Sequence, residues 1–343
     1  VDWLNKLLNK NNKRIGLQLE GETLSYCYFL PQTNTPEISA ASQIQLSEDS
    51  LTVSFKAAIA EINAKGADAY WILPSESYRL LTVERPSVPD SEMTEAIRWQ
   101  IKDQIDVPLE EAVITHFEYP DNLPGGKRQF VVVARLDAVQ RLIDLSLQSD
   151  LNLKAIDIQE LSLGNLMTPW LQQGQNIALI AETPTGISVN CFNGNEFSFN
   201  RALPGVFLPR SNDPVNSEPE TSDSTDNENT NGDEEFSLDV DIGQHETDDT
   251  NNDQLLLEIQ RTLDYYESQI SRQAVTKVIL PDFGQKTERL AEELNANLGL
   301  QVDILKLNKH FNWSDSLVEH QLSRHLPVCG GAYRDMEVAH ATD

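Results

Sequence analysis

No run of about 18 apolar residues occurs in this chain, so none of its 343 residues form a candidate membrane-spanning helix. The first residues also lack the unbroken apolar core of a signal peptide, which makes the cytoplasm the expected compartment. Cysteine is scarce. Cys27, Cys191 and Cys329 are an odd number, far apart, with no C-x-x-C spacing, which excludes a fully paired disulfide framework and a thiolate metal site. They read as small buried apolar residues. The histidines His116, His245, His310, His320, His325 and His340 include no H-E-x-x-H pair, and the five-residue step from His320 to His325 misses one helix face. No metal is expected.

Lysine and arginine are missing altogether between Arg210 and Arg261, while fifteen Asp and Glu residues lie between Asp213 and Asp253. This tract carries about half of the formal charge of −28. Its Ser, Asn, Thr, Asp and Glu residues offer too little apolar area to offset the entropy of ordering, so 211–253 is expected to be a disordered acidic insert. Clustered cations that could neutralise phosphates are absent, which argues against nucleic acid as a partner.

Elsewhere the chain is patterned. Val1, Leu4, Leu7 and Leu8 lie at helical spacing beside Trp3, with Lys6, Lys10, Lys13 and Arg14 outside that stripe, so 1–14 reads as a short basic amphipathic helix. Packing on the domain behind it is the expected role, with peripheral contact to an anionic membrane surface the alternative. Segments 15–19 and 24–30 flank Glu20, Gly21 and Glu22 as a β-hairpin. A helix over 51–65 and a buried strand over 69–73 follow. From 81 to 161 the pattern becomes strand 81–85, helix 91–105, strands 112–119 and 129–136, helix 137–149 and strand 155–158, a βαββαβ module. Gly125 and Gly126 mark the turn between its middle strands.

After a helix over 161–172, strands at 177–181, 186–191 and 196–202 repeat the opening meander. Beyond the acidic tract come helix 254–269, strand 275–280, helix 286–298 and strand 302–306. A strand-rich start followed by βα alternation, occurring twice, predicts two related α/β halves facing one another across a cleft. The expected division is 1–14, 15–80 as the first half, 81–161 as the module, 162–210 and 254–334 as the second half interrupted by 211–253, and 335–343 as a polar tail.

Four stretches carry a family resemblance. Glu84-Arg85-Pro86-Ser87-Val88-Pro89 leads into Glu92-Met93-Thr94-Glu95-Ala96-Ile97-Arg98-Trp99-Gln100, and Val107-Pro108-Leu109-Glu110-Glu111 continues it. Glu258-Ile259-Gln260-Arg261-Thr262-Leu263-Asp264-Tyr265-Tyr266 and the closing Cys329-Gly330-Gly331-Ala332-Tyr333-Arg334 complete the set. In this order they resemble the PilM family of type IV pilus assembly proteins, and within it the MshI branch that serves the mannose-sensitive haemagglutinin (MSHA) pilus. The resemblance covers nearly the whole chain outside the acidic insert.

The resemblance implies an actin-like ATPase fold of the Hsp70, actin and sugar-kinase type, with an SHS2-like βαββαβ module inserted into its first half. It also implies a scaffold in the platform at the inner face of the bacterial inner membrane. Such a scaffold binds the cytoplasmic segment of a bitopic, PilN-like membrane protein and communicates with the pilus motor ATPase. The expected contact for that segment lies beside the module, with Arg85, Val88, Arg98 and Trp99 near it. Trp99 is at helical spacing from Glu92 and Glu95 on one side and near Lys102 and Asp103 on the other, which predicts partial exposure. The L-type protein of type II secretion shares this architecture and is the alternative; a nucleotide-binding actin-like ATPase is a second.

In this fold each hairpin carries an Asp-x-Gly signature, the Asp serving the metal and the Gly admitting phosphate to backbone N–H groups. Here Gln18 and Glu20 stand at those positions in the first hairpin, and Ala181 and Thr183 in the second. A neutral amide cannot replace the carboxylate, and Glu20 adds bulk and repulsion where phosphate should approach. The adenosine loop reads Pro281-Asp282-Phe283-Gly284, with one glycine where two are expected. Arg201 and Gly205 keep part of the family's R-x-x-x-G-G, with Pro204 in place of a glycine. The expectation is therefore no hydrolysis, no catalytic residue and no resident cofactor, with weak ATP binding left open.

Overall fold

A computed structural model describes residues 13–30, 36–47, 50–171, 174–208, 245–313, 317 and 322–334. The expected N-terminal helix thus lies outside the described residues up to residue 12, as do 211–244 of the acidic insert and the tail 335–343.

Two sheets share one construction. In the first, β1 (Arg14–Glu20), β2 (Thr23–Leu30) and β3 (Glu37–Gln45) form an antiparallel meander, and β4 (Asp68–Ile72) joins β1 in parallel. In the second, β9 (Asn176–Thr183), β10 (Gly186–Asn193) and β11 (Glu196–Pro204) repeat the meander, with β12 (Lys277–Leu280) and β13 (Gln301–Ile304) added in parallel. With β8 (Asn152–Asp157) and β14 (Asn312–Trp313) included, the strand orders are β14-β3-β2-β1-β4-β8 and β11-β10-β9-β12-β13. Apart from β14 (Asn312–Trp313), an edge pair of residues beside β3, the two orders correspond strand for strand.

The central strands are covered on both faces, as their period-2 pattern requires. Ile15, Leu17 and Leu19 of β1 face an outer layer in which α1 (Leu51–Glu61) contributes Phe55, Ala58 and Ile59 and α3 (Leu136–Gln148) contributes Leu142 and Leu145. Gly16 and Gln18 occupy the alternate face. There α4 (Gln159–Met167) and α7 (Leu326–Tyr333) lie between the sheets, sharing a core with Cys27, Phe29, Ile177, Leu179 and Phe192. Helices α5 (His245–Tyr265) and α6 (Gln285–Leu298) cover the outer face of the second sheet through Leu255, Ile259, Leu290 and Leu294.

A third sheet, in the order β5-β7-β6, stands apart. It comprises β5 (Tyr78–Glu84), β6 (Ala112–Glu118) and β7 (Arg128–Arg135), backed by α2 (Asp90–Ile101). Met93, Ile97 and Ile101 close a small core on Val83, Ile114, Val131 and Val133. Burying each such side chain contributes about 1.5–3 kcal/mol, enough to give this sheet its own core.

Three expectations are corrected. The order over 81–161 is βαββαβ as read, but its last strand, β8 (Asn152–Asp157), leaves the module and pairs in parallel with β4, Asp68 opposite Asn152. The reason is the wholly buried edge of β4 at Ala69, Trp71 and Ile72, whose backbone groups need a partner. Arg14 belongs to β1, not to the preceding helix. The helix expected from 254 begins at His245, so the last part of the acidic tract is helical.

Candidate functional site

The hairpins β1–β2 and β9–β10 point their turns toward one another and leave a cleft of about 250 Å³ lined by Gln18, Glu20, Ser25, Gln43, Gln159, Glu182, Thr183, Pro184, Arg324 and Pro327. Each position follows from strand alternation or from a helix start. Gln18 is on the inner face of β1, 7% exposed. Gln159 opens α4 and donates from Nε2 to the carbonyl of Glu182, 3.3 Å away, tying the halves together at the cleft floor. On one rim Gln43 Nε2 donates to Ser25 Oγ at 3.1 Å.

Charge in the cleft is unbalanced. Glu20 and Glu182 line it with Arg324 as the one cation among its lining residues. Burial, reinforced by the nearby Glu76 carboxylate, pushes the Glu20 carboxyl above its ordinary value. No group of three or more potential metal ligands occurs among the described residues.

Of the positions singled out from sequence, Gln18, Glu20 and Thr183 line this one cleft. Ala181, on the same strand as Thr183, lies 1% exposed within the core and does not line this cleft. Gly284 is displaced from the cleft lining altogether. It precedes α6 with φ of 83°, a conformation that suits glycine, and its N–H donates to Asp282 Oδ1 at 2.9 Å. The loop around it is tied to segments further along the chain. Asp282 pairs with Lys306 at 2.5 Å, its N–H donates to Ser323 Oγ at 3.1 Å, and Phe283 is buried. Gln159, Arg324, Ser25 and Gln43 were not found from sequence, because no spacing motif links them.

The four residues expected at a partner contact separate in role. Arg85 pairs with Asp90 at 2.7 Å and Glu118 at 3.7 Å. Arg98 Nη2 donates to the carbonyl of Leu109 at 3.0 Å, and its Nε lies 3.8 Å from Glu95. Val88 packs against the module core. These three hold the module together. Trp99 is 61% exposed, with the Lys102 ammonium 5.7 Å from its ring.

Where the module meets the first half, two adjoining cavities of about 350 Å³ each form a groove. Its walls are Ser75 to Arg79, Ile105 to Val107, Val133, Arg135, Leu136 and Gln140. Arg79 and Asp106 form an ion pair on its rim, and Arg135 forks onto Asp137 at 2.9 and 3.1 Å. That guanidinium holds the Asp137 carboxyl below its ordinary value. None of Arg85, Val88, Arg98 and Trp99 lines the groove.

No protein-family model matches the chain, and no curated protein matches it by sequence. Solved structures are similar to it. A structure described as the PilM-PilN type IV pilus biogenesis complex matches with a TM-score of 0.67 at 16% identity, covering 94% of this chain and 98% of that one. The cytoplasmic domain of EpsL, an inner membrane component of the type II secretion system of Vibrio cholerae, matches with a TM-score of 0.48 at 9% identity over 93% and 95% of the two chains. A protein of unknown function with an actin-like ATPase fold from Bacteroides thetaiotaomicron gives 0.49 at 9% identity over 93% and 97%. The paired sheets, the intervening α4 and α7 and the match over nearly the whole chain define the class: this is a protein of the actin-like ATPase fold.

Proposed function

We propose that the chain is a cytoplasmic scaffold of the inner-membrane platform that builds a type IV pilus, PilM-like and of the MSHA type. In this reading it binds the cytoplasmic segment of a PilN-like membrane protein and does not hydrolyse ATP. The observation that carries the reading is the end-to-end match, 94% of this chain on 98% of the other, to the structure described as a PilM-PilN complex. The motif order from Glu84 to Arg334 supports it independently. The same scaffold would have access to a pilus motor ATPase from the cytoplasmic side.

The groove between the module and the first half is the best place for the partner segment. Tyr78, Ile105, Val107, Val133 and the 44% exposed Leu136 supply apolar area, and Arg79 and Arg135 supply hydrogen-bond donors at the rim. An extended peptide needs that combination of apolar pockets and polar anchors.

The test is calorimetric titration with a synthetic peptide spanning the cytoplasmic segment of the PilN-like protein from the same organism. Binding that weakens by about ten-fold or more in Val107→Asp and Leu136→Asp, each worth about 1.4 kcal/mol or more, supports the reading. Binding that survives both changes and disappears in Trp99→Ala moves the contact to the exposed face of α2. No binding removes the pilus assignment.

A further inference from the structure

The cleft between the two hairpins contains polar groups that the fold leaves unused. Gln18 lines it from the inner face of β1 and is only 7% exposed, yet its carboxamide has no hydrogen-bond partner among the described residues. Gln159 is 5% exposed, and only its Nε2 is engaged, by the Glu182 carbonyl, so its Oε1 is also without a donor among those residues. Carboxamides at this depth normally have partners, because burying them without any is unfavourable. A leucine at position 18 would avoid that penalty. The amide is therefore better explained by a ligand than by packing.

Charge narrows the ligand. The half-buried Glu20 forms no ion pair among the described residues, and Glu76 adds a second negative charge nearby. Glu182 lines the cleft from the other half, against one exposed cation, Arg324. The vacant acceptors at Gln18 Oε1, Gln159 Oε1 and the Glu20 carboxylate call for a positively charged group with several N–H donors. No group of three or more metal-ligating side chains occurs among the described residues, which disfavours a bare metal ion. An ammonium offers three donors as a point charge, whereas a guanidinium offers five in one plane, matching planar amides and a carboxylate. At about 250 Å³ the cleft falls below the roughly 300–1,000 Å³ of sites for drug-sized ligands, so the ligand is small.

We propose that the cleft binds a small guanidinium compound, whose N–H groups donate to Gln18 Oε1, Gln159 Oε1 and the Glu20 carboxylate. The site is separate from the groove beside the module and does not depend on what occupies that groove. An actin-like cleft poorly suited to polyphosphate would thus be suited to a ligand of the opposite charge.

Chemical-shift titration of the full chain, isotopically labelled at glutamine nitrogens and held at physiological ionic strength, provides the test. The probes are butylguanidinium, butylammonium and butylurea, the last a neutral isostere of the first. Butylguanidinium should shift the Gln18 side-chain signal, identified by its absence in Gln18→Leu, and bind at least about ten-fold more tightly than butylurea and more tightly than butylammonium. Glu20→Gln should abolish the preference over butylurea, and Gln18→Leu should weaken binding by about ten-fold. Glu20→Gln conserves size at a half-buried position, so the test stands even if Gln18→Leu fails to fold. Arg324→Gln, which removes the one cation of the lining, should tighten binding. No shift with butylguanidinium, equal binding of butylurea, or a preference that Glu20→Gln leaves intact overturns the proposal. A capped alanine-arginine-alanine peptide that binds at least about ten-fold more tightly than butylguanidinium overturns it in favour of an arginine side chain from a protein.

Discussion

Tyr78 donates its hydroxyl proton to Glu160 Oε2 across 2.6 Å, and both side chains are buried. The bond joins the first residue of the module's entry strand to the start of α4, beside Gln159 in the cleft. Burial raises the Glu160 carboxyl above its ordinary value of 4.5, an effect that the Tyr78 hydroxyl partly offsets. Removing the hydroxyl in Tyr78→Phe leaves a buried carboxylate without its donor and should cost about 1–3 kcal/mol in denaturant unfolding at neutral pH.

The sign of the pH dependence follows. A carboxyl raised in the folded state contributes stability that is fully present below its unfolded value and is lost as pH rises through the folded one. The stability of the wild type relative to Glu160→Gln should therefore fall as pH rises above 4.5, and fall further in the Tyr78→Phe background. A flat difference from that pH to neutrality would show that Glu160 does not titrate abnormally.

Gly330 illustrates a different constraint. A Cβ built there would collide with the carbonyl of Ser162 on α4, and one on Gly16 would collide with the carbonyl of Val328 on α7. Backbone cannot yield as a side chain can. Gly330→Ala should destabilise by about 1–3 kcal/mol, as overpacking does. At Gly164 on α4 the added methyl meets the ring edge of Phe192 at 3.2 Å, and the gain in helix propensity of about 0.8–1 kcal/mol works the other way, so Gly164→Ala should be close to neutral. Equal losses at the two sites would disprove the distinction.

This contrast also explains what could be read in advance. The hairpins, β4 and the helices α1, α3 and α6 were legible because apolar residues recur in them at strand or helix period. Helix α7 was not, since Pro327, Gly330 and Gly331 disfavour a helix locally, and the two glycines are there because Ser162 of α4 and Ile72 of β4 approach too closely for side chains. The small and polar residues of β3 conceal a strand whose pairing is supplied by β2. At the cleft, Gln18, Glu20 and Thr183 were found because hairpin positions are local. Gln159 and Arg324 arrive from segments far apart in the chain, and only the packing of α4 and α7 brings them together. Gly284 stands ahead of a helix, where a lone glycine serves a turn as readily as a phosphate loop.

The three cysteines make a chemical prediction. Cys27 on β2 and Cys329 on α7 have their sulfurs 2.9 Å apart, and both are fully buried, as is Cys191. Burial raises the Cys27 and Cys191 thiols, so little thiolate exists near neutral pH to act as a nucleophile. A colorimetric disulfide reagent should leave all three unmodified in the native protein over many minutes and titrate all three in denaturant. Fast reaction of one thiol in the native protein would reveal an opening between α7 and the first sheet.

The cleft makes the last prediction. A nucleotide bound there would bring its phosphates toward Glu20, Glu182 and the pyrrolidine of Pro184, with Arg324 alone among the lining residues to offset their charge. In the loop before α6, Asp282 is engaged by Lys306 and Ser323, and the Phe283 N–H donates to Thr287 Oγ1. Millimolar Mg-ATP should therefore give neither calorimetric heat nor a rise in melting temperature, whereas ligand at 100 times its Kd would add about 2.7 kcal/mol. Gln18→Asp combined with Glu20→Gly places a carboxylate on the inner face of β1 and removes the Glu20 charge and bulk at the first hairpin, and should yield measurable binding if those two positions are what exclude nucleotide. Wild-type binding tighter than about 100 μM, equivalent to about 5.5 kcal/mol, would contradict the electrostatic argument and make nucleotide a candidate regulator of the groove.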